Sequence, residues 1–296
     1  MERKKIGLVL SGGGERGWIQ LGALKILEKE KLQYDIIVGS SVGGIVGWGM
    51  ALGYTVKQLI KKADQLKEND VKKISSDPYA IFDPSAAFEK LKKMFGDKKF
   101  ENLQKRFAVV AVDLQTGDEV VLNSGKIINA IRATTSVPGL FAPVEVDGRL
   151  LIDGGILNVL PVDVANNMGA DVTIAIDVSE FGKRQYTRKT GNISALSKRL
   201  IGTTKNPYIA ALLKRSFLFE SLYQSARIMA SRIREEKLAR SPPNVLIEAY
   251  HPPLDSFGLA VDDKKHRKKL MDIGEEVATK QLEKIKSVIE TANTGY

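Results

Sequence analysis

The chain contains no cysteine and only two histidines among its 296 residues. Without thiols there is no disulfide framework, no thiolate nucleophile and no cysteine-ligated zinc or iron–sulfur centre. That usage fits a reducing compartment, and the sequence is read as cytoplasmic. No apolar stretch approaches the roughly 20 residues of a membrane-spanning helix. The run Ile6–Leu10 behind Met1-Glu2-Arg3-Lys4-Lys5 is too short for a signal segment and leads into glycines, so it predicts a first strand. The protein is expected to be soluble, or at most peripheral to a membrane. Scarce histidine also limits the chemistry, because a Ser-His-Asp triad has only His251 and His266 to draw on. His266 sits in Asp262-Asp263-Lys264-Lys265-His266-Arg267-Lys268-Lys269, the solvated start of a charged helix. His251 follows a strand, in Ala249-Tyr250-His251-Pro252-Pro253, where a hydrolase-type triad could place its histidine.

Charge and apolar content are plentiful. At 43% hydrophobic residues the chain can bury one large core or two modest ones. Net charge is +10, and residues 181–240 alone hold 14 Lys/Arg against 3 acids. Such a segment suits an anionic membrane surface, or is simply a solvated helix face. Nucleic acid is the weaker partner, since the few aromatics there (Tyr186, Tyr208, Phe217, Phe219, Tyr223) fall at core-like spacing and no binding motif accompanies them.

Strands and helices alternate along the chain, which argues one α/β domain over residues 1–296. Strands are predicted at Ile6–Leu10, Asp35–Val38, Phe107–Asp113, Glu119–Asn123, Phe141–Val146, Leu150–Asp153, Val172–Val178 and Asn244–Ala249. Helices are predicted over Trp18–Lys29, Val42–Leu52, Lys57–Lys73, Phe82–Phe100, Ile127–Thr135, Ile209–Ile233 and Asp262–Val288. The helix from Ile209 carries Leu212, Phe219, Leu222, Ala226, Met229 and Ile233 at helical spacing, as expected of a helix packed on the core or lying on a membrane. Residues 54–105 are a candidate cap over the site.

Three stretches carry chemistry. Gly39-Ser40-Ser41-Val42-Gly43 is Gly-x-Ser-x-Gly between a β-branched run and a Gly/Ala-rich helix, the strand–turn–helix context of a nucleophile elbow. Ser41 is the candidate nucleophile, and Gly39 and Gly43 relieve crowding on either side of it. Ser11-Gly12-Gly13-Gly14-Glu15-Arg16-Gly17 joins a strand to a helix and can free backbone N–H groups for an anion. Gly12-x-Gly14-x-x-Gly17 also has the form of a dinucleotide fingerprint. That fingerprint wants an acid at the carboxyl end of the second strand, whereas Asp35 stands at its start. The remaining readings are an oxyanion hole facing Ser41 and a plain tight turn. Asp153-Gly154-Gly155 ends a short apolar run, as either a placed carboxylate or a turn former. Without a histidine, a carboxylate would have to take the serine proton directly, which favours partial burial to raise its pKa.

Taken in order, Leu8–Gly17, Gly39–Gly43 and Asp153–Gly155 resemble the three signature blocks of patatin-like phospholipases, and Ser136–Val144 is similar to that family's segment before Asp-Gly-Gly. The resemblance covers about residues 5–180, and the basic helical region with the last strand and helix, 181–296, matches only loosely. It implies a modified α/β-hydrolase fold: a three-layer sandwich around a mostly parallel central sheet. It implies hydrolysis of lipid acyl esters, of phospholipase A or lysophospholipase type, through an acyl-enzyme and a dyad without histidine. Ser41 matches the nucleophile and Asp153 the base. Gly12, Gly13 and Gly14 match the oxyanion loop, with Arg16 and Gly17 in their motif places and Gly154 and Gly155 beside the base. The N–H of Val42 would add a further donor to the hole. Gln20 departs from the histidine many bacterial members carry. No metal or cofactor is required, and calcium independence follows. The alternative is a catalytically silent member that binds at an anionic membrane surface.

Overall fold

The computed structural model describes residues 3–179, 207–251 and 263–294, without the side chains of 207–221, 223, 293 and 294. Its strands are β1 (Ile6–Leu10), β2 (Ile36–Ser40), β3 (Arg106–Asp113), β4 (Glu119–Leu122), β5 (Val144–Val146), β6 (Arg149–Asp153), β7 (Val172–Asp177) and β8 (Val245–Glu248). The helices are α1 (Gly17–Lys29), α2 (Val42–Ala51), α3 (Val56–Ala63), α4 (Glu68–Val71), α5 (Ser85–Phe95), α6 (Ile127–Thr134), α7 (Val162–Asn167), α8 (Pro207–Arg240) and α9 (Lys264–Thr294). No helix among the described residues is long and apolar enough to cross a membrane.

All eight strands form one sheet. β3, β2, β1, β7 and β8 run parallel in that order, while β4 and β6 pair antiparallel with β3, and β5 with β6. Successive residues of a strand point to opposite faces, so an apolar run such as Leu8-Val9-Leu10 feeds two cores at once. Leu8, Leu10, Ile37, Phe107, Val109 and Ile176 pack with α1, α2 and α9 on one face. Val9, Val38, Ala108, Val110 and Ala175 pack with Val162, Val164 and Ala165 of α7, and with Leu238 of α8, on the other. The result is the expected layered arrangement, with β1 and β2 as neighbours and both glycine loops at their carboxyl ends.

Helix α9 is bolted to α1 by two glycines. A Cβ on Gly22 would stand 2.1 Å from the Met271 carbonyl oxygen, and one on Gly274 would stand 2.0 Å from that of Ile19. Backbone thus lies directly on backbone, and Lys25–Glu275 and Lys286–Glu30 ion pairs flank the crossing.

Three local expectations need correction. The helix expected over Lys57–Lys73 is two pieces, α3 and α4, the first opened by a Thr55/Gln58 capping box. The helix expected over Phe82–Phe100 is only Ser85–Phe95; Pro84 is its N-cap, and the Asp83 carboxylate accepts from the Ser85 N–H. Helix α8 is longer than expected, and Leu222 and Met229 are each 60% exposed instead of facing the core. It docks through Ala230, Arg234 and Lys237. Arg234 pairs with Asp177 at the end of β7 and with Glu248, and Lys237 bridges Glu119 and Asp163 at 2.8 Å each. Part of the basic 181–240 segment is therefore neutralised internally, and its cations Lys183–Lys205 lie outside the described residues.

Candidate active site

The site is built where β2 ends. Ser41 follows Ser40 with φ 51° and ψ −123°, a left-handed conformation costing on the order of 1–3 kcal/mol for a residue with a side chain. The strain lifts its side chain out of the sheet and starts α2 at once. The turn closes so tightly that a Cβ on Gly39 would meet the Gly43 carbonyl oxygen at 2.4 Å, and one on Gly43 the Leu10 carbonyl oxygen at 2.3 Å. From the opposite side, Thr134 Oγ1 accepts the Ser41 N–H at 2.9 Å and donates to the Val110 carbonyl at 2.6 Å. One hydroxyl thereby ties the elbow to β3.

Asp153 reaches the same place from another direction. On β3, Val110 pairs with Ser40 of β2 and Val121 of β4, and Ala111 pairs with Val120 of β4 and Asp153 of β6. Since β4 occupies one edge, β2 and β6 share the other and meet end to end. The Asp153 N–H donates to Ser136 O at 2.9 Å, and the Gly155 N–H donates to Asp153 Oδ1 at 2.7 Å. Gly154 packs so closely that a Cβ there would lie 2.2 Å from Val110 O. Asp153 is 5% exposed, and burial pushes its carboxyl up to about 6, against the opposing pull of the Ser41 hydroxyl and the Gly155 N–H. The hydroxyl is near enough to exert that pull, yet Oδ2 has no hydrogen bond of ordinary geometry. The two groups are adjacent without being locked together, as is common before substrate binds.

The glycine loop faces this pair. Arg16 Nε and the Arg16 N–H both donate to Gly13 O, at 3.0 and 3.2 Å, and Ser11 Oγ donates to Gly12 O at 2.9 Å. In a trans peptide the C=O and the following N–H point opposite ways. Holding the carbonyls of Gly12 and Gly13 therefore turns the N–H groups of Gly13 and Gly14 the other way. Those two, and the N–H of Val42 at the positive end of α2, donate to no acceptor among the described residues. Gly12 corrects an expectation, because its N–H is committed to Val159 O at 2.9 Å. It contributes by closeness instead: a Cβ there would lie 3.4 Å from Ser41 Cβ. Gly17 opens α1 against Val42, with its own Cβ position 2.6 Å from Val42 Cγ2. Gln20 donates from Nε2 to Ser11 O at 2.7 Å and so braces the base of the loop.

Ser41, Asp153, Gly12, Gly13, Gly14, Arg16, Gly17, Val42 and Gly155 all line one cavity of about 680 Å³. The rest of its wall is chiefly apolar, from Trp18 and Leu21 of α1, Ile45 of α2, Leu140 and Phe141, and Phe88 and Leu91 of α5. Val71 and Ala63 extend it, so residues of segment 54–105 form part of the cavity wall. Neither histidine lines the cavity. His266, expected in solvent, is only 8% exposed, with Nε2 3.2 Å from Glu15 Oε1. The His251 ring lies edge-on to it at 5.3 Å. Among the described residues no cluster of three or more metal-ligating side chains occurs. Sequence reading gave no role to Thr134, Ser11 or Glu15 and set His266 in solvent. Ser11 and Glu15 did lie within the glycine-loop motif, and Thr134 stands two residues before the Ser136–Val144 segment.

A family model described as patatin-like phospholipase matches residues 8–166. Over 261 residues the chain is 33% identical to patatin-like phospholipase domain-containing protein 7 of Rattus norvegicus, an alignment covering 85% of this chain and 19% of that protein. Over 267 residues it is 31% identical to patatin-like phospholipase domain-containing protein 6 of Homo sapiens, covering 85% and 18% respectively. The chain thus spans about a fifth of the length of these curated relatives. Among solved structures, that of VipD from Legionella pneumophila aligns with a TM-score of 0.49 and 14% identity, over 92% of this chain and 67% of that one.

Proposed function

The chain belongs to the patatin-like phospholipase family, and from that premise we propose that it is a serine acyl hydrolase of lipid esters working through Ser41 and Asp153. The observation that carries the reading is the meeting of a strained serine and a buried carboxyl of raised pKa in a largely apolar cavity. Asp153, with Oδ2 uncommitted, takes the Ser41 proton as Oγ attacks the ester carbonyl. The N–H groups of Gly13, Gly14 and Val42 receive the tetrahedral oxyanion, and such preorganised donors are worth about 3–4 kcal/mol each. As the intermediate collapses, the ester C–O bond breaks and the proton on Asp153 passes to the departing alkoxide. Water then attacks the acyl-Ser41 ester and gives its proton to Asp153. As the second tetrahedral intermediate breaks the acyl C–Oγ bond, Asp153 returns that proton to Ser41 Oγ and the fatty acid leaves.

The apolar wall suits an acyl chain, with the ester at the polar end beside Ser41. Exposed Leu222, Ile228 and Met229 on α8, of which Leu222 also lines the cavity, favour delivery from a lipid surface. With Arg234 and Lys237 paired internally, this membrane reading rests on apolar rather than cationic groups. Fatty-acid release from a lysophospholipid, with and without a calcium chelator, tests the proposal. Chelator-resistant release that vanishes in Ser41→Ala supports it. No release from lysophospholipid, diacyl phospholipid or simple esters favours the silent binding protein instead.

A further inference from the structure

Two consecutive residues at the start of α9 grip three parts of the cavity wall. His266 Nε2 lies 3.2 Å from Glu15 Oε1, both side chains being buried. A carboxylate can only accept, so the ring nitrogen carries the proton between them. Glu15 belongs to the 3-10 turn Gly14–Arg16, the same turn that holds the Gly14 N–H and hooks Arg16 onto Gly13 O. The next residue, Arg267, stacks over Trp18 with its guanidinium carbon 5.0 Å from the ring centre, and donates to Asp64 at the end of α3 at 2.7 Å. Trp18 is cavity wall, and so is Ala63 beside Asp64.

This grip is anchored. Asp263 Oδ1 accepts the His266 N–H at 2.9 Å, capping the helix, and the glycine crossing with α1 begins one turn further on. His266 is one of the contacts that fix the buried Glu15 side chain, and removing it takes a buried hydrogen bond from the turn carrying the proposed oxyanion donors. A structural brace alone would suffice on the outer side of α1; this one is attached to the loop itself.

We propose that His266, acting through Glu15 251 residues away in sequence, is a positioning residue for the glycine loop, so that the C-terminal helix sets the geometry of the oxyanion donors. The inference rests on the acyl-hydrolase reading above. Losing the contact leaves substrate entry unaltered but lets the Gly13 and Gly14 N–H groups wander from the position of the oxyanion. The loss should therefore fall on turnover rather than on binding.

The test uses the full chain, p-nitrophenyl butyrate as substrate, and the variants His266→Ala, His266→Gln and Glu15→Gln, assayed well below each variant's melting temperature. The expected result for His266→Ala is a kcat about tenfold or more lower with KM nearly unchanged, a smaller penalty than deleting a donor outright. His266→Gln, which keeps an N–H to donate to Glu15, recovers most of it. Amide hydrogen exchange over residues 12–18 is expected to rise in His266→Ala. Wild-type kcat in a folded His266→Ala, or a lower melting temperature with kcat preserved, overturns the proposal. Should His266→Ala fail to fold, Glu15→Gln and His266→Gln decide it on the same readouts. Exchange does not depend on turnover, so the two failures separate. An inactive wild type defeats the acyl-hydrolase reading, and unchanged exchange over 12–18 defeats the positioning role.

Discussion

Ser40 and Asp153 sit opposite consecutive residues of one strand, Val110 and Ala111, on the same edge of β3. They come from strands running toward each other, so the elbow that follows Ser40 opens directly beside the Asp153 carboxyl. The parallel half of the sheet supplies one residue of the proposed dyad and the antiparallel half the other. Ser41 and Asp153, 112 residues apart in the sequence, are brought together by backbone registration rather than by loop flexibility. Such a pair can work without histidine because burial has already moved the carboxyl toward working pH.

Activity should follow the ionisation of Asp153. Its pKa is raised to about 6, and the base must be ionised to take a proton. kcat/KM is therefore expected to climb about tenfold per pH unit below that value and level off above it. A pH profile with a soluble ester measures this; a flat profile between pH 4.5 and 8, as an assay range of about that width would show, counts against Asp153 as base.

The same shift predicts a gain of stability when the site is disabled. A raised pKa means that protonated Asp153 favours the folded state; this contribution is full below the unfolded value of 3.8 and is lost as pH rises through about 6. Asp153→Asn removes the cost of an ionised buried carboxylate and should stabilise the protein by about 2–3 kcal/mol at pH 8, and by little below pH ~4. Chemical denaturation at the two pH values checks the difference.

Thr134 should matter twice over. Its Oγ1 accepts from Ser41 N and donates to Val110 O, so Thr134→Val strands a donor and an acceptor. The expected cost is about 2–4 kcal/mol of stability. A slower reaction at Ser41 should accompany it, and Thr134→Ser should restore both. Denaturant midpoints and labelling rates on the three proteins measure this.

The elbow, the glycine loop and Asp153 were legible because each needs specific residue types at fixed spacing around a backbone feature. So were the apolar strands that lead into the elbow and the glycine loop. The contacts made by His266 were not legible. Asp262–Lys269 reads as solvated charge, and only the close crossing at Gly22 and Gly274 turns His266 and Arg267 inward. Leu222 and Met229 misled in the opposite sense, since helical spacing cannot tell a buried stripe from an exposed one. The commitment of the Gly12 N–H to Val159 also depends on tertiary placement that no motif records.

Calcium should be dispensable. The proposed steps use only Ser41, Asp153 and backbone N–H groups, so dialysis against chelator is expected to leave hydrolysis unchanged. Restoration of activity by calcium alone would require a different mechanism.

The most direct measurement is labelling by a fluorophosphonate, read by intact mass, on wild type, Ser41→Ala and Asp153→Asn. A single adduct on the wild type, none on Ser41→Ala, and labelling of Asp153→Asn slowed by at least about 100-fold is the predicted result, general-base assistance being worth roughly 10²–10⁴. Labelling that persists in Ser41→Ala, or proceeds at the wild-type rate in Asp153→Asn, would contradict a Ser41–Asp153 dyad.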